Sequence, residues 1–216
     1  MSSQQPQTPR IPLLPTLIIA AVALAAGIWA AQALLVPRTM IDDELAASRF
    51  PVARQLAPFR LLDQHGRTFD NSTLQGKWSL LFFGYTHCPD VCPTTLAVLN
   101  GVARKLSGSD VPVQFVFVSV DPERDTPEQL ARFVNYFNPD FTGATGTATE
   151  LEALTRQLGV LHTRAADPQQ PDNYLVDHSA AVFLTDPSGR YHAVFTPPLA
   201  ADGIADDLRK MARAYR

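Results

Sequence analysis

The stretch Ser79-Leu80-Leu81-Phe82-Phe83-Gly84-Tyr85-Thr86-His87-Cys88-Pro89-Asp90-Val91-Cys92-Pro93 decides how the chain is read. Its first six residues form a continuous apolar run typical of a strand buried on both faces. From Thr94 onward, Leu96, Leu99, Val102, Ala103 and Leu106 recur at helical spacing. The segment between is a strand-to-helix turn, and both cysteines of the chain lie on it, four positions apart. Ligands of open α/β sheets bind beyond the carboxyl ends of strands. Helix N-termini favour anions, which lowers the pKa of a thiol. Thiolates are therefore expected to form easily here. Pro89 and Pro93 stiffen the loop and are expected to delay the helix until after Cys92. A redox dithiol, a disulfide and a pair of metal ligands all suit this arrangement, and two inert buried cysteines are the plain alternative.

Working outward, the pattern alternates between strands and helices. Phe59–Leu62 and Thr68–Phe69 flank the turn Gln64-His65-Gly66 and predict a hairpin. Val113–Val120 reads as a second buried strand. Thr126 then opens a helix as cap, with Pro127 at its first position and Glu128 in its first turn. Phe141–Gly143 reads as a short strand, and Ala148–Leu158 as a helix ending at Gly159. Ala180–Thr185 and Tyr191–Phe195 are strands joined by Asp186-Pro187-Ser188-Gly189. Ala201–Tyr215 closes as a helix. This order implies an α/β sandwich, with helices covering a mixed central sheet.

Composition narrows the function. The chain has 216 residues with a net charge of −3, which argues against a nucleic-acid binder. Two cysteines exclude a disulfide-rich scaffold and any site needing four thiolates. Charged residues make up only 18%, so part of the chain is expected to lie out of water. That part is the N-terminus. Between Arg10 and Arg38 the chain carries no charge, and this run of 27 residues is long enough to span a bilayer. The expected organisation is a tail over 1–10, a transmembrane anchor over 11–36, a linker over 37–55 and a domain over 56–216. Ala31-Gln32-Ala33 also suits a signal-peptidase site, so cleavage remains a second reading. Arg38, Arg49 and Arg54 follow the run while only Arg10 precedes it; this count weighs weakly against translocation, since long domains cross largely regardless of charge. The N-terminus lacks an Arg-rich amphipathic stretch, which favours a bacterial inner membrane over an organelle, with the domain in the periplasm.

A metal site on this turn needs a third ligand. Of the five histidines, His65 lies in a turn and His192 in a strand, His162 is uncommitted, and His87 adjoins Cys88. His178 stands in Val176-Asp177-His178-Ser179, just before an apolar strand. The motifs GYTHCPDVCP, VSVDPERDTPEQL and YLVDHSAAVFLTDPSG make residues from about Phe59 onward resemble the Sco/SenC family of copper-binding, thioredoxin-like proteins. The resemblance implies a thioredoxin-like three-layer sandwich after an N-terminal membrane helix. It implies copper held by the two cysteines of a C-x-x-x-C motif and a histidine before a late strand, which here are Cys88, Cys92 and His178. It also implies a role in cytochrome c oxidase assembly. The expected partner is the copper-bearing subunit of a haem–copper oxidase, with other copper carriers or thiol reductants as further candidates.

The chemistry agrees. Two thiolates and an imidazole are a soft, low-coordinate set suited to Cu(I), and with a weak further ligand to Cu(II). Zinc would want a fourth ligand or bound water. A thioredoxin-type reductase has the tighter C-x-x-C and a proline facing its dithiol. Here no proline lies between Asp172 and Thr185, and His178 takes the expected place. A thiol–disulfide oxidoreductase using Cys88 and Cys92, and a copper or redox sensor, remain alternatives to a metallochaperone. Asp121, Asp90, Asp177 and Tyr174 are candidates for hydrogen-bonding partners of the ligands.

Overall fold

The computed structural model describes residues 20–28, 30, 45–167 and 170–215. Met1–Glu44 and Leu45–Arg216 form two separate units. In the first unit residues 20–28 and 30 are helical. The rest of the expected 11–36 anchor lies outside the described residues. Among the described residues, no helix is long and apolar enough to cross a membrane.

The second unit runs β1 (Ala47–Arg54), β2 (Arg60–Asp63), β3 (Thr68–Asp70), β4 (Trp78–Gly84), α1 (Val91–Leu106), β5 (Val113–Ser119), α2 (Pro127–Phe137), β6 (Thr142–Thr145), α3 (Ala148–Leu158), β7 (His162–Asp167), β8 (Gln170–His178), β9 (Val182–Thr185), β10 (Tyr191–Phe195) and α4 (Ala201–Tyr215). Eight strands make one sheet in the order β1-β10-β9-β4-β5-β6-β2-β3, while β7 and β8 pair as a separate two-stranded ribbon. Strands β4, β5 and β6 run parallel, and β9, β10, β1 and β2 join antiparallel, so the sheet is mixed as expected.

Strand β4 is central and buried along its whole length. Its side chains alternate between faces, as the period-two geometry of a strand requires. Trp78, Leu80 and Phe82 pack with Leu96 and Leu99 of α1, Leu130 of α2 and Ile204 and Leu208 of α4. Leu81 and Phe83 pack on the other face with Leu151 and Leu154 of α3 and with Tyr174 and Val176 of β8. Helices thus cover both faces. Thr126 caps α2 by accepting from the Gln129 N–H, and Thr147 and Glu150 form a capping box on α3. Gly159 ends α3 in the left-handed conformation (φ 73°), which only glycine adopts without strain.

Three expectations are corrected. The 37–55 linker gives way at Ala47–Arg54 to strand β1, paired with β10. It is an edge strand with mostly exposed residues and a register shift between Arg49 and Arg54, which accommodates Pro51 and hides the strand pattern. Helix α1 begins at Val91 rather than after Cys92. Pro93 sits in its first turn, where the backbone N–H has no intrahelical partner to lose. The third concerns residues 162–178, where no strands were anticipated and the β7–β8 ribbon forms.

Candidate metal centre

The turn after β4 is shaped around the two sulfurs. A Cβ on Gly84 would overlap Cys92 Sγ and press on the Phe117 ring, so the strand end must be glycine for the thiol to tuck beneath it. Cys92 is fully buried and Cys88 half-buried, and both thiols are free. The Cys88 N–H donates to the Tyr85 carbonyl at 3.2 Å, closing the turn. The Cys92 N–H, in the first turn of α1, donates to Cys88 Sγ at 3.4 Å.

The sheet brings the distant histidine to this turn. Val182 of β9 is in register with Phe82 of β4, so the segment just before β9 meets the end of β4. His178 Nε2 lies 3.3 Å from Cys92 Sγ. Its Nδ1 lies 3.2 Å from the Ser179 carbonyl, which can only accept, so Nδ1 carries the proton and Nε2 presents its lone pair to the sulfur. The edges of Phe82 and Tyr85 flank the imidazole with ring centroids at 5.9 Å. Burial lowers the His178 pKa and favours the neutral ring. The donor atoms of Cys88, Cys92 and His178 all lie within 4.8 Å of one another. Two sulfurs and one nitrogen that close can converge on a single ion, and the set is soft.

Thiol acidity is the fourth correction. The helix N-terminus led us to expect easily formed thiolates, but burial pushes the Cys92 thiol up, well above the ordinary thiol range. At a fully buried sulfur the loss of hydration outweighs the helix dipole. A cation bound beside it supplies the missing counter-charge, because metal ligation deprotonates a thiol outright.

The other candidates lie around this triad. His87 points elsewhere, with Nδ1 3.1 Å from Thr86 Oγ1 and 3.7 Å from Asp125 Oδ1. His162 is the register partner of His178 in the ribbon yet stays outside the triad. His65 is exposed in the β2–β3 turn, and His192 packs edge-on to Trp78. Asp90 is exposed and accepts from the Thr94 hydroxyl, and Asp177 is exposed on β8. Asp121 is buried and accepts from the Tyr174 hydroxyl at 2.6 Å and from Arg124 Nε at 2.6 Å. Burial, followed by this bond to Asp121, pushes the Tyr174 hydroxyl up to about 12, so it remains a donor.

Sequence reasoning missed Asp125. Its buried carboxylate accepts from the Thr86 N–H at 2.8 Å, the Thr86 hydroxyl at 2.7 Å and the Ser119 hydroxyl at 2.6 Å. It thereby ties the cysteine turn to the end of β5. The run Asp121-Pro122-Glu123-Arg124-Asp125 shows three acids, and nothing in one sequence says which of them turns inward.

A family model described as SCO1/SenC matches residues 49–213. The chain is 37% identical over 217 residues to the mitochondrial SCO2 homolog protein of Bos taurus, covering 98% of this chain and 80% of that one. Arabidopsis thaliana ScoI, solved with copper bound, matches with a TM-score of 0.69 and 36% identity over 74% of this chain and 98% of its own. Bradyrhizobium japonicum ScoI, also solved with copper bound, matches with a TM-score of 0.65 and 37% identity over 71% of this chain and 97% of its own. The shared architecture is the thioredoxin-like α/β fold with a mixed central sheet.

Proposed function

The chain belongs to the SCO1/SenC family, and on that premise we propose that it is a membrane-tethered copper chaperone that carries one copper ion on Cys88, Cys92 and His178 and delivers it to the copper centre of a cytochrome c oxidase. The observation that carries this reading is the convergence of two sulfurs and one imidazole nitrogen within 4.8 Å. Their softness suits Cu(I). The neutral His178, with Nε2 toward Cys92, is the form that ligates. Copper is cargo here, so the ligands must release it as well as bind it. Cys88, half-buried beside the fully buried Cys92, is the ligand an incoming donor reaches first. Delivery is then an exchange of ligands from the rim of the site inward. The oxidase recipient rests on family membership. The anchor over 11–36 and a periplasmic domain belong to the same proposal, supported by the 27-residue uncharged run.

A second reading is favoured by the two free thiols and the Cys92 N–H aimed at Cys88 Sγ. In this reading the dithiol reduces a partner disulfide. Cys88 and Cys92 become joined, and the partner gains two electrons and two protons as thiols. One experiment separates the readings. The reduced full-length chain in detergent is loaded with Cu(I) and challenged with a Cu(I) chelator, while exchange with oxidised glutathione is followed in parallel. The chaperone reading expects the natural chain to hold its copper and His178→Ala to surrender it. If neither holds copper while both exchange disulfides equally, the reductase reading replaces it.

A further inference from the structure

His178 does not sit on the central sheet. It ends β8, one strand of a two-stranded ribbon that, among the described residues, pairs with no further strand. An isolated two-stranded hairpin is marginally stable in water, so the position of the imidazole depends on what holds the ribbon down. Tyr174, Val176 and His178 occupy the inward face, whereas Leu175 and Asp177 are exposed. Tyr174 is where the grip is applied. Its hydroxyl donates to Asp121 Oδ1 at 2.6 Å, and its carbonyl accepts from Arg124 Nη1 at 3.1 Å. Arg124 Nε donates to Asp121 Oδ2 at 2.6 Å. The Arg124 guanidinium lies 3.6 Å from the centroid of the Tyr174 ring and that of Arg164, on β7, lies 3.5 Å from it. Two cations that close to one ring must occupy opposite faces, so the phenol is sandwiched. Arg164 also pairs with Glu123 at 2.7 Å. Three residues of the turn after β5 thus hold both strands of the ribbon.

We propose that Tyr174 and Arg124, closed on Asp121, are positioning residues that fix His178 in the metal site and so set how long copper keeps its third ligand. This rests on the chaperone reading. The clamp touches no ligand atom; it acts through β8, and Arg124 also lies 5.6 Å from the ring of Tyr85, which flanks the imidazole. The cysteines are held by α1 and by Asp125 on Thr86; Asp125 shares the turn with the clamp through its N–H to the Asp121 carbonyl at 3.0 Å, a backbone contact that involves no atom of Tyr174. Loosening the clamp therefore withdraws the imidazole and leaves a dithiolate that a recipient ligand completes more readily.

The test uses full-length chain in detergent and compares the natural protein with Tyr174→Phe and Arg124→Met. Cu(I) release to a chelator is timed, and nitrogen coupling is read by electron paramagnetic resonance after Cu(II) loading. Tyr174→Phe keeps the ring and loses one hydrogen bond to a carboxylate, for which release about tenfold faster is expected. Nitrogen coupling should weaken in both variants and return on adding millimolar imidazole, with thiolate-to-copper bands retained. If both variants hold copper as long as the natural chain, with unchanged nitrogen coupling, the clamp has no such role even though the chaperone reading stands. A natural chain that binds no copper overturns that reading itself. Should Arg124→Met not fold, Tyr174→Phe alone decides.

Discussion

At the residue scale, burial decides what each group does. Cys88 and Cys92 were legible because their motif is local and their type is chemically specific, whereas His178 entered through the family resemblance. The acidity of Cys92 was not legible, because a helix terminus is visible in sequence and the depth of a sulfur is not. Asp125 and the Tyr174–Asp121 contact stayed hidden for a related reason: their partners lie 39 and 53 positions away. Gly84 is the sharpest single test of the packing. Gly84→Ala places a methyl on Cys92 Sγ, and overpacking of this kind costs about 1–3 kcal/mol. Chemical denaturation should show that loss, with weakened copper retention, whereas an unchanged midpoint and full retention would contradict the packing. Asp63 gives a pH test away from the site. Burial alone would raise its pKa, but donors from the Arg67 and His65 backbones and the Arg67 side chain more than offset this, leaving it below the ordinary aspartate value of 3.8. A depressed carboxylate contributes stability above its unfolded pKa and loses it as pH falls through the folded value. The natural chain should therefore melt above Asp63→Asn at pH 7, and the gap should close in acid below about 3.8. A gap that persists unchanged there would count against the assignment.

At the element scale, what the sequence revealed followed the strength of periodicity. Helix α3 ends at its glycine cap, and α3 and α4 cover the ranges that their apolar spacing predicts. Strand β1 carried little signal, since an edge strand with exposed residues and a proline need not alternate. The ribbon did carry one, in the alternation of Tyr174, Val176 and His178, but its polar first strand and Pro171 masked it. Helix α3 packs on the sheet face opposite α1, so its cap should matter to stability and not to metal. Thr147→Ala removes the acceptor for the Glu150 N–H and the donor to Glu150 Oε2 at 2.8 Å. The expected loss is about 1 kcal/mol, read by denaturant midpoint, with copper stoichiometry unchanged. Reduced stoichiometry would mean that the two faces are coupled through the sheet.

At the scale of the whole molecule, one design emerges. A parallel core of β4, β5 and β6 ends in the turn that bears both thiols, and a chain reversal through β8 returns the histidine from 86 positions away. The fold class was legible because alternating buried strands and helices leave few alternatives, whereas the approach of His178 to Cys92 is a long-range fact that rested on family resemblance. The proposed anchor predicts that the full chain stays in the membrane pellet after an alkaline carbonate wash; release into the supernatant would contradict it. The most direct test of the central claim is copper content and absorption of the reduced full-length chain in detergent after Cu(II) loading. One copper per chain is expected, with thiolate-to-copper bands lost in Cys88→Ser and altered in His178→Ala. No retained copper, with Cys88 and Cys92 cycling freely through a disulfide, would contradict the account.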